Sequence, residues 1–203
     1  MRSASLPVRA AVVVAMIALI TGVSAAASLT VTVVDAANGT PLAKSVVAVV
    51  SGDQVLAAGR TNEQGVWTGT VPQGQAHVTA SKRLYASAGQ QNIAFPAEGA
   101  RNLRFELTKH QSADFRRLGR IVGFARNPAG QPVANATLVL LRGSTPVGAA
   151  QPEQATGVYE LEWYPPGPYS VLATAPNHRT MKHSGQSISA GESLWLDVTL
   201  QTR

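Results

Sequence analysis

An internal repeat constrains this chain more than any other feature of its sequence. Residues 35–43 (DAANGTPLA) correspond to residues 126–134 (RNPAGQPVA), and an apolar run follows each segment. Gly39 and Gly130 mark the same position in the two copies and are 91 residues apart. Two later blocks repeat in the same order with offsets of 92 to 93 residues. The sequence therefore predicts two structural units of the same fold, joined in tandem.

Each copy has the residue pattern of β-strands. Apolar and polar residues alternate in residues 29–33 (LTVTV) and 194–200 (LWLDVTL), which is the period of a strand with one buried face. Gly, Pro, Asn and Gln separate such runs, so that turn signals recur about every ten residues. No segment of the two copies combines a helical period with capping residues. We expect an all-β protein made of two tandem antiparallel Greek-key-type β-sandwiches, each with seven or eight strands.

The N-terminus has the three parts of a secretory signal peptide. Arg2 and Arg9 supply positive charge, residues 10–20 form an unbroken apolar run, and small residues ending in Ala-x-Ala follow. The run is about half of the roughly 20 residues that a membrane-spanning helix requires. The sequence predicts cleavage after Ala27, with Ala25 as the alternative site, and no stable membrane insertion afterwards. We expect the protein in a bacterial periplasm or outside the cell.

These features divide the chain into a signal peptide (1–27), a first module (28–109), a linker (110–118) and a second module (119–203). The net charge is +6, and loss of Arg2 and Arg9 lowers it to +4. The excess lies between Arg101 and Arg126, which we interpret as a solvated connection. Few aromatic residues interrupt it, so nucleic acid is not an expected partner. The chain has no cysteine, so both modules depend on core burial for stability.

Short motifs within each copy identify the type of sandwich. The second copy contains residues 119–123 (GRIVG), 130–138 (GQPVANATL), 156–159 (TGVY) and 164–169 (YPPGPY). The first contains 39–43 (GTPLA), 61–67 (TNEQGVW) and 71–74 (VPQG), with Gln73 for the second proline and Ala76 for the aromatic residue. In this order the motifs resemble the carboxypeptidase regulatory-like domain, a transthyretin-like sandwich that is also grouped as a carbohydrate-binding-like fold. The resemblance implies the fold but no single activity, because this module is attached to many unrelated proteins.

Catalytic motifs are missing from the sequence. It contains no G-x-S-x-G motif for a nucleophilic serine, and its histidines form neither His-x-His nor H-E-x-x-H. Intradiol ring-cleaving dioxygenases share this sandwich and hold iron with two tyrosines and two histidines, which makes a metal-dependent enzyme the remote alternative. The family's closely spaced histidine pair is absent, and the tyrosines stand where the regulatory-like pattern has core residues. We predict no catalytic residue, metal site or cofactor. The residues of this chain that could be compared with that iron site are Tyr159, Tyr164, Tyr169, His178 and His183.

Glu160 and Glu162 are a carboxylate pair on one predicted strand. Both flank Leu161 and therefore face the side opposite Tyr159 and Leu161. Two carboxylates can catalyse glycoside hydrolysis, but a solvated sheet face also requires polar residues with this period. We interpret the pair as part of a solvated sheet face.

Trp195 and Trp163 are the candidate ligand-binding residues. Strand alternation sends Leu194 and Leu196 to the core and Trp195 to the polar face, where a neighbouring module, a protein partner or a sugar ring would have to cover the indole. Trp163 shares its face with Leu161. The sequence thus favours an exported, non-catalytic accessory protein that contacts a protein partner. A module that binds a cell-surface glycan is the alternative.

Overall fold

The computed structural model describes residues 26–203, so most of the predicted signal peptide lies outside the described residues. Within this range the regular structure consists of fifteen strands and one short 3-10 helix, Asp114–Arg116. Module 1 contains β1 (Ala26–Asp35), β2 (Val46–Ser51), β3 (Gln54–Arg60), β4 (Val66–Pro72), β5 (Gly74–Ser81), β6 (Ala88–Phe95) and β7 (Ala100–Leu107). Module 2 contains β8 (Gly119–Arg126), β9 (Thr137–Arg142), β10 (Thr145–Ala150), β11 (Val158–Tyr164), β12 (Gly167–Thr174), β13 (Met181–Ile188), β14 (Ser193–Trp195) and β15 (Val198–Thr199).

Both modules are two-sheet sandwiches with the same strand order. Module 1 pairs the sheet β4-β1-β7 with the sheet β3-β2-β5-β6, and module 2 pairs β11-β8-β14 with β10-β9-β12-β13. The predicted fold class is confirmed. The closing strands depart from the antiparallel pattern, because β7 runs parallel to β1, and β14 and β15 both run parallel to β8. The chain crosses between the two sheets before its closing strand and so returns in the direction of the first strand.

Each sandwich has its own apolar core. Trp67 lies in the core of module 1, as its alignment with Tyr159 in the second copy predicts. Tyr159, Tyr164 and Tyr169 are buried in the core of module 2. The alternation of β1 and β8 supplies the inward residues, since buried and less buried positions follow one another along both strands.

The closing strand of module 2 is broken where the sequence predicts one continuous strand. β14 ends at Trp195 and β15 begins at Val198; both pair with β8 in the same register, and between them the backbone comes close to Gly123. The carbonyl oxygen of Leu196 accepts a 2.6 Å hydrogen bond from the Tyr159 hydroxyl, and a Cβ atom at position 123 would overlap that oxygen. A glycine at this position therefore allows the close approach of the two backbones.

The two sandwiches pack against each other through sheets, which produces four layers of strands. β2 and β9 are buried on both faces: Val47 and Leu140 point into the cores of their own modules. The alternate residues meet in a third apolar cluster that both modules share. Its buried members are Val46, Ala48, Val50, Val139, Leu141, Ala149 and Leu172. We call this contact the junction.

Polar contacts surround the apolar part of the junction. The Arg60 guanidinium donates at 3.0 Å to the side chain and to the main-chain carbonyl of Gln151. The Ala149 amide donates to the Ser81 hydroxyl at 2.9 Å, and the Lys182 ammonium donates to Asp53 at 2.6 Å. Charged pairs exposed to water add little, so the apolar cluster carries most of the stability of the junction.

The connection between the modules is shorter than the basic segment of the sequence. Arg101 and Arg104 lie on β7, and Arg120 and Arg126 lie on β8, so the interpretation of the whole segment as a solvated connection is wrong. Residues 110–118 link the two strands, and none of these residues is fully buried. This part of the chain includes the short 3-10 helix, whose central residue, Phe115, packs on Trp163 of module 2.

We predict that trypsin cuts the native protein after Arg116 or Arg117, both of which are exposed. The two fragments, each a complete sandwich, should separate in denaturing electrophoresis because the junction is not covalent. They should co-elute in native gel filtration because the junction still holds them together. A chain that resists trypsin here would contradict the exposed connection. Fragments that elute separately would contradict a stable junction.

Candidate functional site

The outer face of the sheet β11-β8-β14 carries the residues that the sequence singles out for binding. On β8, Ile121, Gly123 and Ala125 point inwards and are buried, and the alternate residues point outwards and are half-buried. Trp195 on β14 lies beside Val122 in the parallel register. We call the outward set the Trp195 face. It consists of Arg120, Val122, Phe124, Arg126 and Trp195.

Trp195 points away from the core, as the alternation of its strand predicts. Its residue surface is 58% exposed, so neither module 1 nor its own sandwich covers it. Its ring meets the Phe124 ring edge to face, with centroids 5.5 Å apart and an angle of 66°. The Arg126 guanidinium lies 3.8 Å from the centroid of Phe124, and its Nε atom is buried without a hydrogen-bond partner among the described residues.

Trp163 has a different environment from Trp195. The register of β11 against β8 shifts between Leu161 and Tyr164, so Tyr164 enters the core and Trp163 is left half-buried with a φ of +63°. Its ring lies 4.5 Å from that of Phe115 in the connection between the modules. The Arg120 guanidinium lies 5.5 Å from the Trp163 centroid. The indole of Trp163 therefore anchors the connection to module 2.

Glu162 is buried at the junction, so the interpretation of this residue as part of a solvated face is wrong. Its side chain is 6% exposed because residues 83–84 of module 1 cover it. The Leu84 amide donates to Glu162 Oε2 at 3.3 Å, and Arg83 Nε lies 3.4 Å from Oε1. Glu160 remains half-buried, with its Oε2 atom 3.9 Å from the same Arg83 nitrogen.

The two carboxyl groups of this pair have opposite pKa shifts. Burial raises the pKa of Glu162 to about 7, and the neighbouring Glu160 acts in the same direction. The hydrogen bond with Glu162 lowers the pKa of Glu160, and the positive charges of Arg83 and Arg120 assist. At neutral pH the pair therefore shares one proton for part of the time, and that proton resides on Glu162.

Glu162 borders a cavity of about 190 Å³ between the two modules. The polar groups around it largely bind one another: the Lys82 ammonium donates to the Ala43 carbonyl at 2.7 Å, and the hydroxyls of Ser87 and Tyr164 lie 3.1 Å apart. Module 1 contributes the positive charges and module 2 the negative ones, which is the arrangement of a complementary contact. The charged lining residues are Lys44, Arg60, Lys82, Arg83, Glu153, Glu160 and Glu162.

Three of the five residues compared with an iron site form hydrogen bonds with main-chain carbonyls. The hydroxyl of Tyr159 donates a hydrogen bond to the main-chain carbonyl of Leu196, and that of Tyr169 donates to the carbonyl of Pro165. His178 lies in a turn, where its Nδ1 atom donates to the carbonyl of Pro176 at 2.7 Å, and His183 lies on β13. Among residues 26–203, no three His, Asp or Glu side chains are placed to hold a metal ion. The same residues include no helix that is long and apolar enough to cross a membrane.

Comparisons with known proteins agree with the repeat and the fold. The family model of the carboxypeptidase regulatory-like domain matches twice, over residues 28–108 and 120–201. No curated protein matches this chain in sequence.

Similar solved structures include three bacterial proteins. The Bacillus anthracis TIE protein has 16% identity and a TM-score of 0.34, over 86% of this chain and 34% of that protein. A streptococcal ancillary pilin has 12% identity and a TM-score of 0.33, over 89% of this chain and 63% of the pilin. The minor pilin GBS52 of Streptococcus agalactiae has 13% identity and a TM-score of 0.35, over 87% of this chain and 96% of the pilin. This chain therefore spans about a third of the first of these proteins and under two thirds of the second.

Similarities as distant as these support no conclusion about function. The family matches cover most of the chain and agree with the two sandwiches seen in the structure. The chain belongs to the carboxypeptidase regulatory-like domain family and carries two copies of that domain.

Proposed function

We propose that this chain is an exported, non-catalytic binding protein whose Trp195 face contacts a protein partner in the periplasm or outside the cell. The observation that carries the proposal is the 58% exposed indole of Trp195 on the edge strand β14. Large aromatic residues and arginines are enriched among the residues that dominate binding energy at protein interfaces. Trp195, Phe124 and Arg126 form such a group.

The charge of the face indicates the chemistry of the partner. Arg120 and Arg126 point outwards from β8. The nearby carboxylate of Asp197 is already bound, since it accepts the Phe124 amide at 2.9 Å. The partner should therefore present an apolar group for Trp195 and a carboxylate for the outward-pointing guanidinium of Arg126.

A glycan is the second candidate, and the surroundings of the two tryptophans favour it less. Trp163 already contacts Phe115 and Arg120, so a platform of two free indoles does not form. Sugar recognition combines an aromatic ring with polar side chains directed at hydroxyl groups, and Asp197 is engaged with the main chain. A protein contact requires only the apolar and cationic groups that this face offers.

Export by the signal peptide is part of the proposal. Ala26 and Ala27 belong to β1, where Ala27 is fully buried and pairs with Val71. Cleavage after Ala25 leaves this strand whole, whereas cleavage after Ala27 removes two residues that contribute to the sandwich. We therefore favour Ala26 as the first residue of the mature protein.

Substitution of Trp195 tests the proposal. A photo-crosslinking amino acid at position 122, beside Trp195 on the same face, should identify the partner in cells that produce the protein. The dissociation constant of the purified pair should then rise at least tenfold for Trp195→Ala, because truncation of an aromatic anchor in an interface costs about 2 kcal/mol or more of binding free energy. Leu84→Ala is the matched control, since Leu84 is the other large apolar residue that is exposed among residues 26–203.

The thermal stability of Trp195→Ala should stay close to that of the wild type, because an exposed ring contributes little to the core. Equal dissociation constants for the wild type and Trp195→Ala would contradict the proposal. Loss of retention on a polysaccharide in Trp195→Ala, with no protein crosslink, would replace it with the glycan function.

A further inference from the structure

The strands β14 and β15 form an edge of their sheet, and half of their main-chain groups point away from it. The Leu196 amide donates to the Val122 carbonyl at 2.9 Å, and the Arg120 amide donates to the Glu192 carbonyl at 3.1 Å. The even-numbered residues of this segment therefore face β8, and β15 keeps the register of β14. Successive residues of a strand direct their main-chain groups to opposite sides, so the odd-numbered residues face outwards. Among the described residues, the sheet has no further strand on that side.

The outward-facing residues form one row, which we call the open edge. All four are exposed: Ser193, Trp195, Asp197 and Thr199. Just beyond the row, the Gln201 carbonyl accepts the Arg179 amide at 2.8 Å from the loop between β12 and β13. This contact shows that the main chain of another segment fits against the edge. Residues 177–179 cover its end and leave the open edge free.

The other edge strands carry features that hinder the addition of a further strand. The pairings of β3, β6, β10, β11 and β13 each contain a register shift. β4 ends in Pro72, and β7 exposes the charged side chains of Arg104 and Glu106. The open edge has one charged residue, Asp197, whose carboxylate accepts the Phe124 amide and so points back to β8. Its pairing with β8 has no register shift.

The side chains of the open edge lie on the same side of the sheet as the Trp195 face. Ser193 and Thr199 are small, and their neighbours on β8 are Arg120 and Arg126. Arg120 Nε donates to Ser193 Oγ at 2.7 Å, so its guanidinium already reaches the edge strand. Neighbouring strands lie about 4.8 Å apart. A strand added here would place alternate side chains beside Trp195 and close to the two guanidinium groups.

We propose that the partner of the Trp195 face binds as an extended acidic segment, which adds a strand to the open edge. The inference rests on the proposed function and specifies how the partner binds. The main-chain hydrogen bonds recognise an extended polypeptide, and the side chains select an apolar residue and carboxylates at alternate positions. A second copy of this chain fits less well, because two paired open edges would bring Arg120 and Arg126 of both copies together.

Photo-crosslinking in cells tests the geometry of the contact. A crosslinking amino acid at position 193 and, in a second variant, at position 199 should capture the same partner. Paired strands advance by the same distance per residue, so mass spectrometry should place the two captured residues about six positions apart in one continuous segment. The same amino acid at position 102 should not capture this segment, because Asn102 takes the place of Trp195 in the first copy.

Removal of one main-chain donor separates strand addition from a contact of side chains alone. The probe is the purified partner protein that is captured from position 122. The α-hydroxy acid analogue of tryptophan at position 195 keeps the indole but replaces the amide N–H by an ester oxygen. The dissociation constant should rise about fivefold, which is the effect of one hydrogen bond. The α-hydroxy acid analogue of asparagine at position 102 makes the same change on β7 and should leave the dissociation constant unchanged.

Three results would overturn the proposal: captured residues in separate segments of the partner, an unchanged dissociation constant for the ester at position 195, or capture of a second copy of this chain. If Trp195→Ala weakens binding and the ester does not, the proposed function stands and strand addition is wrong. If positions 122, 193 and 199 capture no protein, both proposals are wrong.

Discussion

Leu141→Asp should uncouple the two modules and convert a single unfolding transition into two. Leu141 is fully buried and belongs to the apolar cluster that both modules share. An aspartate there must enter an apolar contact or ionise, and it removes about 3 kcal/mol or more of stabilisation from the junction. Differential scanning calorimetry should resolve the two transitions, and small-angle X-ray scattering should show a larger radius of gyration.

Two further variants separate loss of the junction from damage to one module. Val50→Asp introduces the charge from the side of module 1 and should give the same two transitions, because Val50 belongs to the same cluster. Thr68→Asp places an aspartate on an exposed position of β4 and should retain one transition. A Leu141→Asp protein with the wild-type transition and radius would show that the junction does not couple the modules.

Gly123→Ala should destabilise module 2 by about 3 kcal/mol, which is severe for the addition of one methyl group. The added Cβ atom would overlap the main-chain carbonyl oxygen of Leu196, and a backbone atom cannot move aside as a flexible side chain can. Displacement of Leu196 would also break its hydrogen bond with the Tyr159 hydroxyl. Urea unfolding followed by tyrosine and tryptophan fluorescence should report the loss.

Gly89→Ala is the matched control for Gly123→Ala. Gly89 lies on the edge strand β6, where the nearest atom to an added Cβ is a carbonyl oxygen at 3.2 Å, so a small shift relieves the contact. Its effect should stay within about 1 kcal/mol. Similar stability for Gly123→Ala and the wild type would mean that the Leu196 carbonyl does not lie this close to β8.

Trp195 shows how far strand alternation predicts a surface. The polar and apolar residues of positions 194–200 determine which side faces the core, because a one-residue slip would bury Asp197 and expose Leu196. The side chain of Trp195 is exposed as predicted even though the strand is broken after it. The break itself has no local signal, since it depends on Gly123 and Tyr159 from two other strands.

Trp163 and Glu162 show where alternation fails. The register shift between Leu161 and Tyr164 adds a residue to β11, so the two-residue period no longer assigns faces beyond Leu161. The burial of Glu162 depends on Arg83 and Leu84, which are nearly 80 residues away in the chain. No pattern around the glutamate indicates that another module covers it.

The uninterrupted apolar runs of β2 and β9 indicate strands that are covered on both faces of the sheet. In a sandwich with one solvated face, strands alternate, so five consecutive buried residues require a neighbour on both faces. Such a run indicates that something covers the outer face of the sheet but does not identify what covers it. The structure shows that each module covers the other.

The sequence by itself determined the two sandwiches, their order, the buried tyrosines and the direction of Trp195. All of these follow from local periodicity, turn residues and the repeat, which act over a few neighbouring residues. Only the tertiary structure decided the stacking of the two modules, the buried carboxyl group of Glu162 and the close approach of Leu196 to Gly123. These depend on contacts between distant residues, whose free energies are set by which surfaces exclude water together, and no short stretch of sequence contains both partners.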